Sequence, residues 1–487
     1  MNRIGMAVVL MGLLSIATLR ADTPMNLLVI QTDEHNFRTL GCYRQTLPTE
    51  QAFVWGKGAA PETPAIDAIA KRGVICTSFY ATSPVCTPSR ASFFSGRYPQ
   101  NTGSWQNDRP MDSNIVTFAE VLRRRGYATG YAGKWHLDGP GKPQWGPKRK
   151  FGFDDNRYMF NRGHWKKFEL TKGGPRVAAR SKNGAPSYNL NGADDQSFST
   201  DWLTDRAIDF IRANASQPFC YHLSLPDPHG PNTVRPPYDA MYQDMPIRPP
   251  YTFGMTSQNP KWAPVSGKNS SLKFNAGLMA TYFGMVRCID DNVERLVATL
   301  DELGLTDNTA IVFTSDHGDL CFEHGRLNKG NPYEGSAKIP MIISAPGRLP
   351  AGGRVDQALG TVDFLPTILT LLDAELPAAT EGRNAAELLR GQAKEWQDVA
   401  ILRASSDKPT WVVAVTDRYK LVVSANEVPW LFDLQADPNE LRNAFDDAQH
   451  DAVIKRLARA LIDYGERTND PQLQPGRLSE QLNKILQ

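Results

Sequence analysis

The chain has 487 residues, 41% of them hydrophobic and 22% charged, the make-up of a globular protein with room for one large domain and a smaller one. Its formal net charge of +2 supplies no global positive field, so nucleic acid is not an expected partner and any polyanion selectivity must be local. Six cysteines (Cys42, Cys76, Cys86, Cys220, Cys288 and Cys321) without CxxC spacing exclude a zinc ribbon and a thioredoxin-type motif.

Residues 1–21 read as a secretory signal. Arg3 supplies the charged start, Met6 to Ala17 the apolar run, and Ala17 or Ala21 the small residue for cleavage. That run is too short to cross a bilayer, and no cysteine follows it to carry a lipid. No membrane anchor is therefore expected, and the mature protein is expected to be exported, either periplasmic or secreted.

Asn26 to Thr32 is a short apolar run of the kind buried in parallel sheets, ending at Asp33-Glu34-His35. Thr63-Pro64 opens a helix closed by Gly73, and Thr117 to Arg125 is helical with Gly126 as its stop. Tyr127 to Trp135 reads as a strand, Asp201 to Ala213 as an amphipathic helix, and Pro218 to Leu225 as a strand running into Pro228-His229. Leu272 to Leu303 is one long helix, and Thr309 to Ser315 is a strand ending on Asp316-His317-Gly318. This alternation predicts an α/β fold over residues 22–394, a large doubly wound, mostly parallel sheet flanked by helices. From residue 395 to 487 the texture changes. Trp411–Thr416, Tyr419–Ser424 and Trp430–Leu434 read as antiparallel strands and Asp451–Arg467 as a closing helix, a smaller C-terminal α+β subdomain.

Doubly wound sheets bind ligands beyond the carboxyl ends of their strands. Asp33, Lys134 with His136, His229, and Asp316 with His317 all fall at that edge, too many for coincidence. Lys134 and His136, two apart, are expected to project to one side while Trp135 packs to the other.

Cys86-Thr87-Pro88-Ser89-Arg90 is a further candidate. Pro88 suits a first helical position with Thr87 as cap, Phe93 and Phe94 face a core, and Gly96 ends the helix. A cysteine at a helix N-terminus is either a buried structural thiol or part of an anion site whose dipole lowers its pKa. Arg90, one turn on, adds a fixed positive charge at the same spot.

Cys86-Thr-Pro-Ser-Arg90, Gly133-Lys134-Trp135-His136, Pro228-His229, Ser315-Asp316-His317-Gly318 and Lys329-Gly-Asn-Pro-Tyr333-Glu334-Gly335 follow one another in this order. The series resembles that of type I, formylglycine-dependent sulfatases of the alkaline phosphatase superfamily. The resemblance runs from about Met25 to the end, taking in Tyr98-Pro-Gln-Asn-Thr-Gly103, Leu431-Phe-Asp-Leu434 and Asp437-Pro-Asn-Glu440. It implies a sulfuric ester hydrolase of arylsulfatase type, with Cys86 converted to Cα-formylglycine (3-oxoalanine) by a maturation enzyme. One hydroxyl of the hydrated aldehyde would attack sulfur, and the other would expel sulfate by collapse.

By the same resemblance, Asp33, Asp316, His317 and modified Cys86 hold a divalent cation, taken to be one Ca2+. Glu34 departs from the usual Asp or Gln at its position, and either joins the ligands or hydrogen-bonds the formylglycine. Lys134 and Lys329 bind sulfate from opposite sides, Arg90 orients the formylglycine, His136 holds one of its hydroxyls, and His229 protonates the leaving oxygen. The basic, aromatic stretch Lys142 to Lys167, with Trp145, Arg157, Trp165 and His164, reads as a substrate loop over the edge, and Val234 to Trp262 as a second. With export, these loops point to a sulfated carbohydrate. Phosphodiester or phosphonate monoester hydrolysis is the alternative activity, and non-catalytic binding of a sulfated glycan is a third possibility.

Overall fold

In the computed structural model, which describes residues 24–255, 259–264 and 267–487, the four apolar runs become neighbouring strands at the centre of one sheet. The signal-like stretch 1–21 lies outside the described residues. The eight strands are Asn26–Asp33 (β1), Val74–Cys76 (β2), Ala128–Lys134 (β3), Asp155–Phe160 (β4), Phe219–Pro228 (β5), Thr309–Ser315 (β6), Met341–Ser344 (β7) and Gly353–Val355 (β8). Their order across the sheet is β8-β2-β7-β6-β1-β5-β3-β4, and only β7 runs against the rest. Every residue of β1, β5 and β6 is buried, which explains their continuous apolar texture.

β1 shows how the two faces are filled. Leu27 and Val29 join a cluster with Phe93, Phe94, Phe118 and Ile368, while Leu28 and Ile30 join Ile66, Ile69, Leu203, Ile289 and Leu296 on the other side. The period of two along the strand thus serves a layer of helices on each face. The first layer contains Cys86–Ser95 (α2), Phe118–Arg124 (α3) and Phe364–Leu371 (α6). The second contains Pro64–Lys71 (α1), Ser199–Ala213 (α4) and the long Ala276–Glu302 (α5). Helix α5 starts four residues later than the sequence suggests, because the Asn275 side chain caps it by accepting from the Leu278 amide.

The outer strands β2, β4, β7 and β8 escape a sequence reading. They are three to six residues long, and β4 carries exposed Arg157 between buried Asn156 and half-buried Tyr158. Much of Val234 to Trp262 is also core rather than loop, since Val234, Tyr238, Tyr242 and Ile247 cluster with Phe283 of α5.

Strands Ala400–Arg403 (β9), Trp411–Val415 (β10), Tyr419–Ser424 (β11) and Trp430–Asp433 (β12) form an antiparallel sheet in chain order, with Asp451–Thr468 (α7) and Arg477–Leu486 (α8) packed on it. Lys420 of β11 is fully buried, and its ammonium donates to Pro332 O (2.8 Å), Glu334 (2.7 Å) and Glu440 (2.8 Å). This network fastens the segment after Lys329 to the C-terminal sheet.

Gly133 in β3 has φ +106°, and a Cβ there would lie 1.8 Å from Ser224 O of β5. Gly133→Ala should cost at least about 2 kcal/mol. A urea midpoint within error of the parent would contradict this.

Candidate active site

Helix α2 places Cys86 against the ends of β1 and β6. The helix begins at Cys86 itself, with Val85 as its cap residue and Gly96 closing it at φ +64°. Pro88 is therefore the third helical residue rather than the first, and Thr87 is not the cap. Its hydroxyl donates to His136 O (2.9 Å), while its amide donates to Asn107 Oδ1 (3.0 Å).

Arg90, with 0% exposure, binds both carboxylates of the site. Its Nε donates to Asp316 Oδ2 (2.8 Å) and Nη2 to Asp33 Oδ2 (3.1 Å), while Nη1 donates to Lys134 O (2.8 Å) and Ser224 Oγ (2.8 Å). The Lys134 ammonium lies 2.5 Å from Asp33 Oδ2 and 3.5 Å from Cys86 Sγ. Burial alone would raise Asp33, but Lys134, His229 and Arg90 hold its carboxyl well below the usual carboxylate range. Burial also works against the Cys86 thiolate, and Lys134 and Lys329 overcome it, holding the thiol well below its ordinary value.

With Oδ2 of each aspartate taken, both Oδ1 atoms face His317, at 3.7 Å for Asp33 and 3.4 Å for Asp316, and Cys86 Sγ lies 3.1 Å from His317 Nε2. Nδ1 of His317 is bonded to Gly318 O (3.0 Å), which leaves the Nε2 lone pair for the site. Although burial disfavours its charge, Asp316 and Cys86 push His317 up to about 9. Ligand atoms of Asp33, Cys86, Asp316 and His317 all lie within 4.8 Å of one another. The two Oδ1 atoms that Arg90 leaves, of which that of Asp316 also accepts from the Glu34 amide (3.2 Å), and an imidazole nitrogen suit a divalent cation.

Glu34, for which the sequence left open a place among the ligands or a contact to the formylglycine, turns its longer side chain across the cleft. Oε1 pairs with Lys329 (3.1 Å) and Oε2 with His229 (3.0 Å), and burial pushes its carboxyl up to about 8 against the pull of Lys329. It stands outside the four-residue group. His229 follows β5, as expected. Its Nδ1 is bonded to Gly230 O (2.8 Å), and Nε2 faces Lys329 (2.7 Å).

Four sequence expectations are corrected. The strand ends at Lys134, so His136 does not share its side of β3. His136 has φ +63°, and its Nε2 is bonded to Asp108 (3.0 Å) while buried Nδ1 has no partner among the described residues. Trp145 packs among Phe160 and Phe168, both at 5.3 Å, and Trp202, because its segment bridges to β4 and is drawn into the core. Arg157 pairs with Asp155 and faces a cleft lined by Ala128 and Phe210, toward the amino end of β3. Trp165 is 4% exposed and packs on Tyr188 at 4.6 Å. A loop's composition cannot tell a stacking platform from an anchor. Conversely, His164, expected only as one residue of the substrate loop, reaches the centre of the site, where its Nε2 accepts from Lys134 (2.8 Å) and lies 4.0 Å from Asp33.

The sulfatase family model matches residues 25–374, which contain every one of these residues, and a second model, described as N-sulphoglucosamine sulphohydrolase, C-terminal, matches 322–467. The chain belongs to the sulfatase family. It is a sulfuric ester hydrolase of the alkaline phosphatase superfamily, and its α/β fold is that of the family. This sulfatase is 30% identical over 473 residues to an uncharacterized sulfatase, YidJ, of Escherichia coli K12, covering 92% of this chain and 88% of that protein. The structure of BT4656, solved in complex with its substrate D-glucosamine-2-N,6-O-disulfate, aligns with TM-score 0.72 and 22% identity over 92% of this chain and 99% of the other. A phosphonate monoester hydrolase from Silicibacter pomeroyi aligns with TM-score 0.68 and 23% identity, over 92% and 97%.

Chelation should destabilise the sulfatase, because a cation held at a hundredfold excess over its Kd contributes about 2.7 kcal/mol. A lower melting temperature in EDTA, restored by divalent cation and blunted in Asp316→Asn, is the expected result. Identical melts with and without chelator would count against a cation here.

Proposed function

We propose that this sulfatase removes sulfate from a carbohydrate outside the cytoplasm, using a formylglycine made from Cys86 by a maturation enzyme and one bound Ca2+. The observation that carries this reading is the place of Cys86. Its Sγ stands at a helix N-terminus, 3.1 Å from His317 Nε2 and 3.5 Å from the Lys134 ammonium. The formylglycine and cation together would supply an oxygen nucleophile at neutral pH and a second hydroxyl through which sulfate can leave.

The chain's own groups account for the remaining work. Asp33, Asp316 and His317 would hold the cation through Oδ1, Oδ1 and Nε2. Arg90 bridges the two carboxylates and offsets their charge. Lys134 and Lys329 would take sulfate oxygens from opposite sides of the cleft. The unpartnered Nδ1 of His136 is available to a formylglycine hydroxyl, with Asp108 fixing the ring at Nε2. Because Nδ1 of His229 is engaged with Gly230 O, only Nε2 can give a proton to the leaving oxygen. Burial and the ammonium of Lys329 hold His229 well below the usual histidine range. A sulfate ester seated between the lysines opposes that field and favours the protonated ring.

A sulfated sugar is supported by the substrate named for BT4656, and export by the signal-like N-terminus. The likeness to a phosphonate monoester hydrolase keeps a second activity in view. Paired assays should show faster turnover of an aryl sulfate than of an aryl phosphate diester, and the reverse order would exchange the two readings.

Peptide mass spectrometry across Cys86 of active protein from its native source should find an aldehyde in place of the thiol. An intact thiol there would sink the mechanism. Cys86→Ala should fold normally and lose at least about a thousandfold in kcat/KM.

A further inference from the structure

His164 lies in the segment between β4 and the Phe168–Thr171 strand, at the rim of the site, with 19% of its side chain exposed. Its ring lies flat on that of His229, with centroids 3.4 Å apart and planes within 8°. Each ring accepts from one of the two cleft lysines, His164 from Lys134 (2.8 Å) and His229 from Lys329 (2.7 Å). The stack therefore ties the two sides of the cleft together.

The backbones beneath both rings are fastened to each other. Lys166, two residues after His164, is fully buried, and its ammonium reaches Asp227 Oδ1 (2.5 Å) and His229 O (3.2 Å). The other oxygen of Asp227 accepts from Thr200 of α4 (2.7 Å). Between the two, Trp165 is wedged against Tyr188. His164 is thus presented to His229 from a rigid segment, held by a buried ion pair that also grips the His229 backbone.

At its Nδ1 edge His229 is anchored to Gly230 O (2.8 Å), while its Nε2 edge meets Lys329 (2.7 Å) and Glu34 (3.0 Å), partners it must give up to reach a leaving oxygen. A single hydrogen bond at one edge of an imidazole leaves its plane free to tilt, which moves Nε2. A parallel ring against its face removes that freedom. We propose that His164 is a positioning residue, which by stacking on His229 holds the imidazole so that Nε2 meets the oxygen of the departing alcohol. This rests on the reading of His229 as the group that protonates that oxygen.

Proton donation counts in proportion to the basicity of the leaving oxygen. A nitrophenolate departs nearly unaided, whereas a phenolate or sugar alkoxide needs the proton. Loss of positioning should therefore appear as a steeper dependence of rate on leaving group, which a general loosening of the fold would not produce.

The test compares formylglycine-bearing wild type, His164→Ala, His164→Phe and His229→Ala on aryl sulfates from 4-nitrophenyl to phenyl and 4-methoxyphenyl. His164→Ala should lose about 10- to 100-fold in kcat/KM on phenyl sulfate and about threefold on 4-nitrophenyl sulfate. His164→Leu, which fills the space without a ring face, replaces the alanine variant should that one unfold. His164→Phe keeps a ring face and lacks the nitrogen, so it should restore the wild-type leaving-group dependence. Equal losses across the series in His164→Ala, or a phenylalanine variant as steep as the alanine one, would overturn the inference. His229→Ala separates the two levels. A steep series in His229→Ala with an unchanged one in His164→Ala defeats the positioning role alone, while no steepening in His229→Ala defeats the acid assignment beneath it.

Discussion

At the ends of β1 and β6 two carboxylates, Asp33 and Asp316, are sealed from solvent beside each other, and a single guanidinium with no exposure of its own holds them there. Unpaired, either charge would be intolerable at that depth, and removing one partner of such a buried pair costs about 3–5 kcal/mol. Arg90 takes Oδ2 from each aspartate and uses its last nitrogen to clamp Lys134 O at the end of β3 and Ser224 Oγ within β5. One side chain thus fixes the relative position of four strands. It also decides which carboxylate oxygens are left to face a cation.

The cleft is built outward from that clamp by alternating charge. Lys134 sits between Asp33 and Cys86, and Lys329 between Glu34 and His229, so each ammonium is held by partners on the protein side. These cations hold the Cys86 thiol low against its burial. Held this way, the same geometry is suited to a bound sulfate, whose charge the lysines would share without rearrangement.

Support for the cleft comes from remote parts of the chain. Lys420 in the C-terminal sheet anchors the segment after Lys329 through Pro332, Glu334 and Glu440, which gives the Asp437-Pro-Asn-Glu440 motif a physical task. Lys166 performs the corresponding task for His164 and His229. Both are buried lysines whose partners are fully satisfied, the condition under which such charges rigidify a structure.

By itself the sequence determined the four central strands, the mostly parallel sheet and the edge where Asp33, Lys134, His229, Asp316 and His317 gather, with Cys86 and Lys329 joined to them through the family resemblance. Strands buried on both faces must be apolar throughout, and the polar residues that end them have nowhere else to go. Short outer strands carried no such signature, and neither did the direction of any one side chain. That Trp145 and Trp165 are anchors, that His136 turns toward Asp108, that Glu34 spans Lys329 and His229, and that His164 lies on His229 were decided only by tertiary structure. Each depends on contacts between segments far apart in the chain, which local pattern and composition do not encode.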